Sequence, residues 1–143
     1  MDVARILENK GHQVMTSPPG ASSAEVARRL NEAAIGAVVV QDEDGGIAGI
    51  LSERDIVRAL VDFGADLPDL RVAALMTRAV QTCAPGDKVH EIMRRMTESR
   101  IRHVPVIENG VLSGIISIGD IVKHRLEELE AESHALRDYI ASA

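Results

Sequence analysis

The sequence predicts an α/β (α+β) protein: two β-α-β-β-α units packed sheet to sheet as a pseudo-two-fold pair, with an extended C-terminal helix. Three observations carry this. First, the chain repeats itself. Val14–Val40 and Val80–Val106 align without a gap at an offset of 66. Val14/Val80, Thr16/Thr82, Pro19/Pro85, Gly20/Gly86, Glu25/Glu91, Arg28/Arg94, Arg29/Arg95, Glu32/Glu98, Ile35/Ile101, Val38/Val104 and Val40/Val106 are identical. Second, the offset falls to 65 where Asp42-Glu43-Asp44-Gly45-Gly46 faces the shorter Glu108-Asn109-Gly110. Gly49-Ile50-Leu51-Ser52-Glu53-Arg54-Asp55-Ile56-Val57 then answers Gly114-Ile115-Ile116-Ser117-Ile118-Gly119-Asp120-Ile121-Val122. Turns tolerate length changes and packed strands do not, so the slip marks a hairpin within each of two copies of one unit. Third, three strands with two helices on one face leave the other face bare, and a second copy can cover it.

In the first copy Gln13–Thr16 is expected as a short strand, broken by Ser17-Pro18-Pro19-Gly20. Ser22 and Glu25 have capping-box spacing and open a helix whose Val26, Leu30 and Ala33 share a face. Ala37–Gln41 is a β-branched run suited to a buried strand. Asp44-Gly45-Gly46 turns the chain, and Ile47–Leu51 returns antiparallel. Ser52 starts a helix expected to carry Ile56, Val57 and Leu60 inward. Gly64–Leu70 is polar, contains proline and reads as the linker. The second copy repeats the pattern: strand Val80–Thr82, helix Asp87–Ser99, strand His103–Ile107, turn Glu108-Asn109-Gly110, strand Val111–Ser117 and a helix from Gly119. Val3–Glu8 and Val72–Met76 are expected as short helices leading into each copy. This divides the chain into repeat one with its N-terminal helix (1–66), repeat two (67–128) and a helical extension (129–143).

Along the last helix Val122, Leu126, Leu129, Ser133, Leu136 and Ile140 alternate spacings of four and three, a seam of the coiled-coil kind. Glu127, Glu128, Glu130, Glu132, Arg125 and Arg137 fill the other faces. Two readings stand: a helix lying on its own core, or a seam between subunits.

Composition bounds the function. At 143 residues, 45% hydrophobic and 27% charged, the chain suits one compact domain or two small units sharing a core. No apolar run approaches the ~20 residues of a membrane helix, and no signal sequence is visible at Met1-Asp2-Val3-Ala4-Arg5. A single cysteine, Cys83, makes no internal disulfide, which fits a reducing cytoplasm. With a net charge of −6, one Phe, one Tyr and no Trp, the chain lacks both the basic stripe and the aromatic platforms of nucleic-acid binders. Any aromatic base would lie between aliphatic side chains.

The polar positions that carry most information are Ser52-Glu53-Arg54-Asp55 and Ser117-Ile118-Gly119-Asp120. In each, Ser stands where a strand becomes a helix and Asp follows three residues on. One role is capping: the hydroxyl accepts from first-turn amides and the carboxylate sits at the positive helix end. The other is ligand binding, with the helix start holding a phosphate and the carboxylate accepting from the two hydroxyls of a ribose. The roles are compatible.

The repeated unit, ending in Gly-Ile-(Leu/Ile)-Ser-x-x-Asp-Ile-Val, resembles the cystathionine-β-synthase (CBS) domain, present as a tandem pair over all but the last ~15 residues. The resemblance implies a regulatory pair, without catalytic activity, that binds an adenosine-containing ligand in the cleft between copies. AMP stands first among ligands, with ADP, ATP, NAD or S-adenosylmethionine as alternatives. It also implies a disc-like homodimer and an effector protein of unknown identity. By the same resemblance Asp55 and Asp120 take the ribose, and Ser52 and Ser117 lie near the phosphates. Thr16, Ser17, Thr82 and Cys83 form the strand edge that meets the nucleoside. Ala37, Val38 and Val39, with His103, Val104 and Pro105, supply the strand that reads adenine. Arg102 and His103 face phosphate. The first copy departs here, offering Gly36 and Ala37, so its phosphate charge falls to Arg54 or a residue from elsewhere; Arg54 in turn answers Gly119. The two sites are therefore expected to be inequivalent.

Other candidates fall short. His90-Glu91-Ile92-Met93-Arg94 has Arg where the second His of a zinc-protease helix must stand. His12, His90, His124 and His134 lack ligand spacing and are expected at the surface. Cys83 reads as packing at a strand end rather than a reactive thiol. Gly45-Gly46-x-x-Gly49 has neither Rossmann nor P-loop spacing and fits a hairpin turn. A ligand-free dimerisation module acting through the last helix remains the rival reading. An enzyme would need a base and nucleophile that the sequence does not display.

Overall fold

The computed structural model describes Met1–Ser142. Its elements are α1 (Val3–Lys10), β1 (Thr16–Ser17), α2 (Ser23–Ala33), β2 (Ala37–Gln41), β3 (Ile47–Ser52), α3 (Glu53–Phe63), a 3₁₀ turn (Gly64–Asp69), α4 (Val72–Leu75), α5 (Val89–Ser99), β4 (His103–Glu108), β5 (Val111–Ser117) and α6 (Ile118–Ser142). One sheet has the order β1-β2-β3, with β1 parallel and β3 antiparallel to β2; the second pairs β4 with β5. The repeat is visible in the register. Ala37 faces Ser52 and, one copy on, His103 faces Ser117.

The two copies differ at their first strand. β1 pairs only at Thr16 and Ser17, beginning three residues and ending one residue later than the expected Gln13–Thr16. The expected strand Val80–Thr82 does not form. There the Val80 amide turns back to the Arg78 carbonyl, and the chain joins the sheet only at Cys83, bridged to Val106. Helix starts follow their caps. Ser22 Oγ accepts from the Glu25 amide at 3.2 Å, but the returning bond of a full capping box is not made. Both α2 and α5 end on a non-glycine residue in the left-handed region, Ala34 (φ +53) and Arg100 (φ +55), which turns each chain sharply into its buried strand.

Alternation along β2 separates two interiors. Val38 and Val40 face a core with Val26, Leu30, Leu51 and Val72. Val39, on the other face, is also fully buried, so that face is covered as well. The second core holds Cys83, Val89, Ile92, Met96, Val104, Val106, Ile116 and Ile121. The lead helices are exchanged between these cores. Val3, Ile6 and Leu7 of α1 belong to the second core, while Val72, Leu75 and Met76 belong to the first. The duplicated glycines Gly49 and Gly114 make room for this exchange. A Cβ on Gly49 would meet Met76 Sδ at 2.6 Å and the Thr77 carbonyl at 2.8 Å; one on Gly114 would meet Leu7 Cδ2 at 2.8 Å.

Several sequence expectations are corrected by burial. Ala33 is exposed, because α2 meets the sheet only through the stripe of Val26 and Leu30. On α3, Ala59 is the buried residue and Ile56 packs partly, while Val57 and Leu60 are 62% and 56% exposed. The apolar arc of α3, from Ile56 and Ala59 round to Val57 and Val61, is wider than the one face it can turn to its own sheet. Gly64–Leu70 is no loose linker: Leu67 is buried, its carbonyl accepts from Ser23 Oγ, and the Leu70 carbonyl accepts from the Ser23 amide. His124 lies largely buried rather than at the surface, since the first turns of α6 pack against α1 and α5. Beyond them α6 leaves its own core, so the self-packing reading of the seam fails. Val122, Leu126, Leu129, Leu136 and Ile140 are all exposed. Among the described residues, no helix is long and apolar enough to cross a membrane.

Candidate functional site

Ser52 and Ser117 each end a strand and cap the helix that follows, as the strand-to-helix spacing requires. Ser52 Oγ accepts from the Asp55 amide at 3.2 Å, and Asp55 Oδ2 accepts from the Ser52 amide at 2.9 Å. The second copy repeats this at 3.1 and 2.8 Å between Ser117 and Asp120. Each carboxylate is thereby fixed at the positive end of its helix, with one oxygen committed to the cap and the other not.

Each box opens onto its own cavity, and each cavity is completed by the opposite copy. The first, about 670 Å³, sets Ser52, Glu53, Arg54, Asp55 and Arg58 against Arg100, Arg102 and His103, with Val57 and Val80 as apolar lining. The second, about 760 Å³, sets Ser117 and Asp120 against Thr16, Arg29, Ala37 and Lys10. Both volumes lie in the range of about 300–1,000 Å³ usual for small-molecule sites. Of the residues singled out from sequence, the structure brings Ser52, Arg54, Asp55, Arg102 and His103 into one cleft. It brings Thr16, Ala37, Ser117 and Asp120 into the other, which His103 also lines. Ser17, Val38, Val39, Thr82, Cys83, Val104 and Pro105 line neither. Val38 and Val104 are core residues, and the Val39 amide and Pro105 carbonyl are taken by sheet pairing with Met15 and Cys83.

The clefts differ in charge. Arg54, Arg58, Arg100 and Arg102 all line the Asp55 cleft, and among the described residues none of them forms an ion pair. Unpaired guanidinium groups around one cavity suit a phosphate, which they can grip through paired N–H bonds. In the Asp120 cleft the charge is satisfied from within. Lys10 Nζ donates to Asp120 Oδ2 at 2.6 Å and to the Ile115 carbonyl at 2.7 Å. Burial opposes ionisation of Asp120, but the Lys10 ammonium and the Ser117 amide outweigh it and hold the carboxyl below its ordinary value. Arg29 is a structural clamp: it donates to the Thr16 carbonyl at 2.9 Å, as Arg95 does to Thr82 at 2.8 Å in the other copy.

His103 faces groups from several elements. Burial first, then Lys10, pushes its pKa below the ordinary value; Glu53 and Asp120 oppose this and Arg102 adds to it. The Cys83 thiol is buried and pushed up to about 11 by desolvation and the nearby Asp87 carboxylate, with Arg95 opposing, so it is a packing group.

Sequence reasoning missed Lys10, Arg58 and Arg100 as lining residues. Arg58 could have been found, since it stands one turn beyond Arg54 on the same helix. The signal for Lys10 was fainter: α1 runs for eight residues and its counterpart α4 for four, so the lysine sits in an extra turn that the second copy lacks.

The CBS domain family model matches residues 3–62 and 72–127. A crystal structure of a CBS-domain containing protein from Agrobacterium tumefaciens superposes with a TM-score of 0.86 at 46% identity, covering 87% of this chain and 99% of that one. The CBS domain pair of protein MJ0100, in complex with 5-methylthioadenosine and S-adenosyl-L-methionine, superposes with a TM-score of 0.78 at 26% identity, over 90% of this chain and 98% of that one. Among curated proteins, the mitochondrial CBS domain-containing protein CBSX3 of Arabidopsis thaliana is 34% identical over 120 residues, 81% of this chain. That match spans 58% of the Arabidopsis protein, and matches to relatives from Thermofilum pendens and Methanopyrus kandleri span 42% and 57% of theirs.

Proposed function

This chain belongs to the CBS domain family, and from that premise we propose that it is a regulatory module binding an adenosine-containing ligand between its two copies. The observation that carries the reading is the Asp55 cleft. It places a carboxylate suited to a ribose diol, an aliphatic wall and unpaired Arg54, Arg58, Arg100 and Arg102 around one cavity. That combination fits a nucleotide better than a nucleoside, and AMP is the simplest ligand using all three. The adenosine compounds bound by the MJ0100 pair support the same ligand class. The module acts without catalysis. Ligand favours one arrangement of the paired copies, and an effector protein reads the change.

Exposed Val57, Leu60, Val61 and Phe63 on α3, together with the apolar stripe of α6, support association of two such chains. The same stripe favours the second reading, a dimerisation module whose clefts stay empty. Thermal unfolding with AMP, ADP, ATP, NAD and S-adenosylmethionine separates the two. Ligand at 100 times its dissociation constant adds about 2.7 kcal/mol. Protein freed of co-purified ligand that responds to none of the five refutes the nucleotide reading.

A further inference from the structure

The two cavities share two residues, Gly36 and His103. Their positions follow from a mismatch in the repeat. Gly36-Ala37 of copy one answers Arg102-His103 of copy two, so one copy offers a bare backbone where the other offers a guanidinium and an imidazole. The imidazole leans into the space that the glycine leaves. A Cβ on Gly36 would stand 3.0 Å from His103 Cε1 and 3.1 Å from Nε2, with Glu53 Oε1 at 3.5 Å. A side chain at position 36 would crowd the ring and make it give way. One imidazole is therefore part of the wall of both clefts.

We propose that His103 couples the clefts, so that a phosphate-bearing ligand in the Asp55 cleft draws the imidazole to itself and weakens binding of a second ligand in the Asp120 cleft. This rests on the nucleotide reading above. A single ring turned to one phosphate is withdrawn from the other cavity. The cations left there are already held, Lys10 by Asp120 and the Ile115 carbonyl and Arg29 by the Thr16 carbonyl. The groups facing the ring are Lys10 from α1, Glu53 from α3, Asp120 from α6 and Arg102 beside it. In the free protein burial and the two cations keep the imidazole neutral near pH 7. A phosphate dianion reverses that balance and favours the imidazolium, which takes its proton from the buffer.

Two measurements on the full chain test this. In the wild type, NMR of the His103 ring proton on Cε1 follows its titration with no ligand, with AMP and with adenosine. AMP is expected to move the midpoint to higher pH, and adenosine, which lacks the phosphate, to leave it in place. Calorimetry then compares AMP binding to Asp55→Ala, in which only the Asp120 cleft is intact, with the second binding event of the wild type. The variant is expected to bind about fivefold or more tightly, a coupling within the usual range for linked sites. His103→Ala and the Asp55→Ala/His103→Ala double variant are expected to show no such difference. A His103 midpoint that AMP leaves unmoved overturns the proposal, and so does an Asp120 cleft equally tight with its neighbour filled or blocked. If the wild type binds neither AMP nor adenosine, the nucleotide reading itself falls, an outcome distinct from independent sites.

Discussion

Lys10 Nζ stands 2.6 Å from Asp120 Oδ2, whereas Asp55, the repeat counterpart of Asp120, has no ion-pair partner among the described residues. Two carboxylates in the same capping geometry thus differ in their charge partner through one side chain of α1. The pair is only partly screened, with side-chain exposures of 30% and 22%. Lys10→Met is expected to cost roughly 1–2 kcal/mol at pH 7, between the values for surface and buried pairs. The Asp120 carboxyl is depressed in the folded state. Its contribution is therefore full above the ordinary value of 3.8 and is lost as pH falls through the lower folded value. Urea unfolding of wild type and Lys10→Met at pH 7 and pH 3 should show a difference that shrinks in acid.

Loss of a hydrogen bond to a charged group costs about 1.5–3 kcal/mol, so Arg102→Gln should weaken AMP binding in the Asp55 cleft by that order. The same substitution should leave adenosine binding nearly unchanged, because the guanidinium is assigned to the phosphate. Calorimetry with both ligands checks this. Equal losses for AMP and adenosine would place Arg102 elsewhere.

Gly49→Ala and Gly114→Ala should not be equivalent, although the glycines are repeat partners. The new methyl at position 49 meets the Thr77 backbone carbonyl at 2.8 Å, while the three atoms nearest that at 114 all belong to the Leu7 side chain. Overpacking typically costs about 1–3 kcal/mol, and the Gly49 variant belongs at the upper end because backbone cannot rotate aside. Denaturant midpoints of the two variants give the order directly.

With its thiol pushed up to about 11, Cys83 should resist a disulfide reagent at pH 8 in the folded protein and react in full after unfolding in guanidinium. Rapid reaction of the native protein would mean that the strand end opens readily.

Residues 129–142 of α6 are exposed, so a chain ending at Glu128 should fold with stability within about 0.5 kcal/mol of the full chain. If the apolar stripe joins two copies, sedimentation should show the shortened chain shifted toward monomer at matched concentration. An unchanged association would assign the dimer contact to α3 instead.

The helices, the strands other than Val80–Thr82, and both Ser–Asp caps are legible in the sequence, because each depends on residues within a few positions of one another. The hairpin slip between Gly46 and Gly110, the β-branched run of β2 and the Ser–Asp spacing are local facts of this kind. Which copy completes which cleft, where α1 and α4 pack, and that Lys10 pairs with Asp120 appear only once the chain is folded. Those outcomes rest on contacts between residues distant in the chain, 67 and 110 positions apart in two cases. Lys10 and Asp120 are 110 positions apart, and Gly36 and His103 are one repeat plus one residue apart. Read along the chain, the repeat already shows where the halves differ, at Gly36-Ala37 against Arg102-His103. Packing turns that difference into a shared wall, because the His103 imidazole occupies the space beside Gly36.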